Sequence, residues 1–204
     1  AAATSVKLTG TLTTKGNSDI RQLRDLCWQL KHVDLSTANC PTLPANAFHS
    51  RHRLVSVVLP ANLKSIGTQA FFACDALKQL TLPATLEEVG AAAFSGCSSL
   101  ESIAIEGTPH LGGFAFRGCN NLRSIKLLSK VPPQCDATAF EGVDIEKCRL
   151  EVPAGSEENY RKAAGWKCFF GADNSKKAAV TCVPEEALVP VPAEMSVAKN
   201  AEVL

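Results

Sequence analysis

Two histidines, His49 and His52, are three residues apart, and they alternate with the basic residues Arg51 and Arg53. Imidazoles at this spacing could share a helical face and ligate a transition metal, but no third or fourth ligand is apparent. A basic cluster of this kind could contact an acidic partner, although such residues are more commonly only exposed to water. The spacing therefore favours exposed corner residues, and we predict no metal site and no cofactor.

Nucleophilic catalysis is the next chemistry to consider, because the chain contains nine cysteines and four histidines. No nucleophile elbow, oxyanion loop or local cysteine-protease signature surrounds any of them. Gly112 and Gly113 lie in a corner rather than between a strand and a phosphate-binding helix, which argues against a nucleotide loop. We predict that the protein is not an enzyme.

The charge balance excludes two further classes of partner. Lys plus Arg is 21 and Asp plus Glu is 20, so no overall field would attract nucleic acid or an acidic membrane. No apolar run approaches the roughly 18 to 20 residues that a transmembrane helix needs. We predict no nucleic-acid partner and no transmembrane segment.

The elements that would position a site come from an internal repeat. The stretch AFFACDALKQLTLPATL begins at Ala70, and similar stretches begin at Ala47, Ala93 and Ala115, with a final Ala-Phe pair at Ala139. The phenylalanines of these pairs follow one another at intervals of 23, 23, 22 and 24 residues, at Phe48, Phe71, Phe94, Phe116 and Phe140. A fixed period of this length predicts stacked supersecondary units, which form a solenoid.

Within one unit, Leu80 and Leu82 are two residues apart and therefore point to the same side of a strand. Parallel strands stack about 4.8 Å apart, so equivalent residues should form columns, one of which is Leu59, Leu82, Ile105 and Leu127. Another column would be Cys74, Cys97 and Cys119, which we predict to be buried and reduced. The pairing of the other cysteines stays open: Cys27, Cys40, Cys135, Cys148, Cys168 and Cys182.

The same pattern identifies a family. The motif AFxGCxxLxxIxLP followed by LxxIGxxAF resembles the BspA-type leucine-rich repeat of bacterial surface proteins. The segment SVKLTGTLTTKGNSDIRQLRDL resembles the N-terminal cap of that family, and LEVPAGSEENYRKAAGWKCFF resembles its C-terminal cap. The resemblance implies an extracellular or cell-surface location and adhesion to host matrix proteins or to other cells.

The predicted fold class is an α/β solenoid: a right-handed leucine-rich repeat with about six short parallel strands, one per coil, and a helix at each end. We divide it into an N-terminal cap with a first irregular coil (1–46), the repeats (47–140), a C-terminal cap (141–172) and a tail or extension (173–204). The N-terminal helix should begin at Asn17 or Ser18 and run to about Gln29, with Leu26 on its apolar face. Ala178 to Val183 could form one further strand.

Glycines and aromatic residues complete the expected coil. Gly67, Gly90 and Gly112 each precede a repeat phenylalanine by four residues, which suits a tight corner that needs positive φ or close backbone approach. Trp166 with Phe169 and Phe170 should plug the far end of the core.

We predict that a protein partner docks on the strand face, because alternate strand residues point away from the core. The resemblance implies that this partner is a host extracellular-matrix protein or a protein of another cell. Two alternatives remain, a glycan-binding module, which would need exposed Trp or Tyr, and a passive spacer that presents another domain. The predicted binding residues form two outward rows: Ser56, Val58, Gln79, Thr81, Ser102, Ala104, Ser124 and Lys126.

Overall fold

The computed structural model describes residues 3–13, 19–171 and 179–184. In chain order the strands are β1 (Ser5–Lys7), β2 (Gly10–Thr11), β3 (His32–Asp34), β4 (Ala38–Asn39), β5 (Thr42–Leu43), β6 (Ser56–Val58), β7 (Ser65–Ile66), β8 (Gln79–Leu82), β9 (Glu88–Val89), β10 (Ser102–Ile105), β11 (His110–Leu111), β12 (Ser124–Leu127), β13 (Arg149–Pro153) and β14 (Val180–Val183). The helices are α1 (Asp19–Leu26) and α2 (Glu157–Lys162), and single 3₁₀ turns span Ile145–Lys147 and Lys167–Phe170.

The predicted parallel-strand solenoid is confirmed, with about six turns. One sheet has the order β1-β3-β6 and the next β8-β10-β12-β13-β14, and every pair within them is parallel. Leu82, Ile105 and Leu127 lie in register in adjacent strands, as expected. Leu59 lies one residue beyond β6, where the ladder is interrupted before β8.

The coil contains a second strand column that the sequence analysis did not predict. The two-residue strands β5, β7, β9 and β11 form a parallel ladder on another side of the solenoid. Their buried residues each come five residues before a repeat phenylalanine: Leu43, Ile66, Val89 and Leu111. The sequence therefore carried a periodic signal for this column, but pairs of residues are too short to register as strands.

The interior is a stack of identical side chains. Successive repeat phenylalanines pack with ring centroids 5.1 to 5.3 Å apart and rings within 18° of parallel. At the C-terminal end Phe140 contacts Trp166 at 5.3 Å and Phe169 at 5.4 Å. Trp166, Phe169 and Phe170 are all buried, and the first two continue the aromatic column beyond Phe140.

The repeat glycines are required by close backbone approach, not by positive φ. A Cβ atom on Gly67 would lie 2.4 Å from the Ala45 nitrogen, and one on Gly90 would lie 2.6 Å from the Thr68 nitrogen. Real Cβ atoms do not approach backbone this closely, so any side chain here would push neighbouring coils apart. The left-handed conformation instead occurs two residues later, at Gln69 and Ala92.

The two helices are short, with eight residues in α1 and six in α2. Helix α1 buries Ile20 and ends at Leu26 rather than near Gln29, and Leu26 is exposed rather than on the apolar face as predicted. The predicted N-cap residues Asn17 and Ser18 lie outside the described residues. The tail strand is confirmed: β14 pairs with β13 in parallel, from Leu150 opposite Val180 to Pro153 opposite Val183. No helix among the described residues is both long and apolar enough to cross a bilayer.

Candidate functional site

The strand face brings the predicted binding residues into two continuous rows. In the first row Gln79, Ser102 and Ser124 lie opposite one another in β8, β10 and β12. In the second row Thr81, Ala104 and Lys126 are aligned in the same way. The neighbours between them in sequence are buried, so the alternation of the strands turns both rows outward.

The first strand of the predicted site is less accessible than the others. Ser56 and Val58 are only 9% and 8% exposed, and the Ser56 hydroxyl lies 2.8 Å from the His32 Nδ1 atom. Gln79 is exposed. The other five residues of the two rows are half-buried: Thr81, Ser102, Ala104, Ser124 and Lys126. The accessible part of the face therefore begins at β8.

Both rows extend beyond the residues that the sequence analysis selected. Arg149 lies opposite Ser124, Glu151 lies opposite Lys126, and Thr181 of β14 lies opposite Glu151. The signal for Arg149 and Glu151 was present, since they alternate with the apolar residues Cys148, Leu150 and Val152 and must therefore face outward in a strand. Thr181 could not be placed, because nothing in the sequence fixes the partner of β14.

The charged side chains of the strand face lie towards its two ends, on β1 and β3 and on β12 and β13. At the N-terminal end Lys7 pairs with Asp34 across 3.2 Å. Partial burial opposes ionisation of Asp34, but hydrogen bonds from Ser36 and Lys7 outweigh it and lower the pKa of this carboxyl. At the other end, Arg149 and Glu151 are 3.9 Å apart. The middle, from Gln79 to Ser124, carries no charged side chain on either row.

The histidines at the first corner have separate partners, which argues against a shared metal. The His49 Nδ1 atom lies 2.8 Å from the Ser50 hydroxyl, and its ring stacks on Phe72 at 4.9 Å. The His52 Nδ1 atom lies 2.7 Å from the Asp75 carboxylate. In the described part of the chain, no three His, Cys, Asp or Glu side chains are grouped in a way that could hold a metal ion.

A shallow cleft of about 310 Å³ brings a cysteine near a histidine and an acid, because Cys135, His110 and Asp136 all line it. Burial raises the pKa of the Cys135 thiol to about 12, so the sulfur is protonated at neutral pH. The thiol donates instead to the backbone carbonyl of Asp136 at 3.4 Å. Since the thiolate is the nucleophile in cysteine catalysis, this geometry favours packing over chemistry.

The cysteine column is buried, as predicted. Cys74, Cys97 and Cys119 are fully buried, and each thiol donates to the carbonyl of the repeat phenylalanine in the preceding coil, at 3.2 to 3.3 Å. Burial raises the pKa of Cys74 and of Cys119 to about 12. These contacts tie one coil to the next and leave the thiols unreactive.

Comparison with known proteins identifies the repeat. The sequence profile of the BspA type leucine rich repeat region matches residues 41–159 in six copies. No curated protein matches the chain.

Solved structures share the fold. The pneumococcal vaccine antigen PcpA superposes with a TM-score of 0.61 at 21% identity, over 89% of this chain and 42% of its own. A leucine rich cell surface protein of Faecalibacterium prausnitzii superposes with a TM-score of 0.56 at 21% identity, over 76% of this chain and 42% of its own. The chain thus spans less than half the length of either protein.

Proposed function

The chain belongs to the BspA-type leucine-rich repeat family, and from this premise we propose that it is a protein-binding module of the bacterial cell surface. Its partner would dock on the strand face formed by Gln79, Thr81, Ser102, Ala104, Ser124 and Lys126. We further propose that the partner is a host matrix protein or a protein of another cell, and that the binding serves adhesion. The finer features of the fold, a right-handed coil with α1 and α2 as end caps, are part of the same proposal.

The observation that carries this proposal is the uncharged middle of the strand face. Thr81, Ser102 and Ala104 are small, half-buried side chains that lie side by side in β8 and β10. A polypeptide can approach such a surface closely without stripping water from ions, which is the costly step in burying charge. Extended solenoid surfaces are commonly used for binding in this way.

A partner must first be found by incubating the full chain with matrix proteins and with a set of glycans. The strand-face site is then tested with Thr81→Lys and Ala104→Glu, which place charge in the middle of the face and leave the buried columns unchanged. Because an interfacial charge without a counterpart costs several kcal/mol, we expect each to weaken binding by about tenfold or more.

Matched controls place the same substitutions elsewhere on the coil. Thr68 and Ala91 are exposed residues that lie outside the strand-face rows, so Thr68→Lys and Ala91→Glu should bind the partner like the parent. Folded Thr81→Lys and Ala104→Glu variants that also bind like the parent would refute the strand-face site. Capture of a glycan rather than a protein would favour the glycan-binding alternative, and capture of neither would favour a spacer.

A further inference from the structure

The N-terminal end of the solenoid exposes two large apolar side chains that packing does not use. Leu26, the last residue of α1, is 77% exposed, and Trp28 is 59% exposed. Among the described residues the other exposed large apolar side chains, Phe114 and Val131, are 17 positions apart in the chain. Leu26 and Trp28 are only two residues apart in the chain, and neighbouring exposed apolar side chains mark an interaction site more often than single scattered ones do.

One arginine lies over the Trp28 ring, and another contacts the end of α1. The Arg53 guanidinium carbon lies 5.8 Å from the centre of the Trp28 ring, and no carboxylate in the described part of the chain pairs with Arg53. Arg51 donates its Nη1 hydrogen to the backbone carbonyl of Arg24 at 3.0 Å, which holds the end of α1 against the first repeat corner. The guanidinium charge of Arg51 is therefore fixed near the C-terminal end of α1, where it also acts on Asp25.

The one acidic residue beside Leu26 is already engaged. Asp25 accepts hydrogen bonds from the Arg24 Nε and Nη2 atoms, at 2.7 and 3.1 Å. The Arg24 hydrogen bond, together with the charges of Arg24, Arg51 and Arg21, lowers the pKa of Asp25. Asp25 thus pairs with Arg24, and Asp75 pairs with His52, so among the described residues neither carboxylate forms an ion pair with Arg51 or Arg53.

We infer that the N-terminal patch, formed by Leu26, Trp28 and Arg53, binds an acidic peptide segment that carries apolar side chains. The acidic groups would pair with Arg53 in the field of Arg51, and the apolar side chains would cover Leu26 and Trp28. Trp and Arg, together with Tyr, are the residues enriched at energetically dominant contacts between proteins. Complementary charge would also speed association and set the orientation of the segment.

A peptide fits this surface better than an acidic glycan does. Sugar rings stack on a flat, open aromatic face, but Arg53 already lies over one face of the Trp28 ring. Leu26, an aliphatic side chain with most of its surface in water, offers an apolar contact that a sulfated or carboxylated sugar would not use. This inference is independent of the strand-face site, because the patch and the rows share no residue.

The structure contains a matched control for the aromatic and arginine pair. At the fourth coil Arg117 lies over the Phe114 ring at 5.2 Å, but its guanidinium also pairs with Glu141 across 3.2 Å. Phe114 is 38% exposed, less than Trp28. The two pairs therefore share their local chemistry and differ in charge neutralisation and exposure.

The test measures fluorescence anisotropy of labelled peptides with the full chain. The probe is a short peptide of Glu and Leu, compared with peptides of Lys and Leu and of Glu and Gly, and with labelled heparin. We expect the Glu–Leu peptide to bind best and its affinity to fall as salt is added. Trp28→Ala and Arg53→Glu should each weaken it by about tenfold or more, whereas Phe114→Ala and Arg117→Glu should leave it unchanged.

Each contrary result would overturn the inference. These are an absence of Glu–Leu binding to the parent, equal binding by Trp28→Ala and Arg53→Glu, and equal losses in the Phe114 and Arg117 controls. Equal or tighter binding of the Glu–Gly peptide or of heparin would replace the peptide site with a general polyanion site. Circular dichroism of the variants confirms folding, and Arg51 is left intact because it holds α1 in place.

Discussion

Replacement of Phe94 by alanine should destabilise the protein more than any surface substitution. Phe94 is fully buried in the middle of the aromatic column, with Phe71 at 5.1 Å on one side and Phe116 at 5.3 Å on the other. Both neighbours are nearly parallel to it, at 8° and 6°. The substitution therefore removes one buried ring and both of its aromatic contacts.

The magnitude follows from how little the cavity can collapse. Replacing a buried phenylalanine by alanine typically lowers the free energy of unfolding by about 3 to 5 kcal/mol, and the loss rises with the volume of the cavity that remains. Phe71 and Phe116 belong to coils whose spacing is fixed by their backbone ladders, so neither ring can move far into the gap. We expect a loss near the upper end, about 4 kcal/mol, and a midpoint of thermal unfolding lower by about 10 °C.

The assay is urea unfolding followed by circular dichroism. The dependence of the free energy of unfolding on urea concentration should be the same for the parent and the variant, which shows that both unfold between the same states. The control is Phe72→Ala in the same coil, since Phe72 is only half-buried and stacks on the His49 ring. A loss below about 1 kcal/mol for Phe94→Ala, or a loss no larger than that of Phe72→Ala, would show that the aromatic column does not hold the coils together.

Adjacent glycines test the corner packing. Gly112→Ala should lower the free energy of unfolding in urea by about 2 kcal/mol or more, because its Cβ would lie 2.8 Å from the Val89 carbonyl oxygen. Gly113→Ala should lower it by less than about 1 kcal/mol, because its Cβ would meet only a side-chain oxygen at 3.3 Å. The column thiols Cys74, Cys97 and Cys119 should resist alkylation in the native protein at mildly alkaline pH and react in denaturant without reductant; fewer than three free thiols there would contradict their reduced state. Because burial raises the pKa of Cys74 and Cys119 from 9.0 to about 12, their stabilising effect is fully present below pH 9.0 and is lost as pH rises towards 12. The free energy of unfolding should therefore fall by about 1.4 kcal/mol per pH unit per thiol in that pH range. Urea unfolding repeated at several pH values in the range measures this slope, which should be smaller for Cys74→Ala.

Much of the fold was predictable because the same pattern of apolar residues and glycines recurs in each repeat. The phenylalanine spacing and the alternating leucines predicted the stacked parallel strands, and the recurring glycines predicted the tight corners. Leu26 was placed wrongly because, at 3.6 residues per turn, it lies about 120° around α1 from the buried Ile20, at the edge of the apolar face. In the structure this edge faces solvent, and Leu26 is exposed.

The candidate site was predictable only in outline. Strand alternation identified which residues point outward, and the ladders place Ser102 and Ala104 as expected. Exposure depends on what lies beside each strand, so the sequence could not show that Ser56 and Val58 are nearly covered. Nor could it show that Trp28 and Arg53, 25 positions apart, lie together, because that contact depends on how the first repeat packs against the segment after α1.

The small residues of the strand face have two explanations, a docking partner or crowding on a concave surface. Crowding would restrict every position of a row to small side chains. Yet the row that contains Thr81 and Ala104 continues into Lys126 and Glu151, and Lys126 lies on β12, between two other strands of the sheet. A row that accepts a lysine at an interior strand can accept long side chains, so backbone crowding does not require alanine one strand away. We therefore propose that close approach by a partner, rather than crowding, favours the small, uncharged residues of β8 and β10, and Ala104→Glu would separate an effect on binding from an effect on folding.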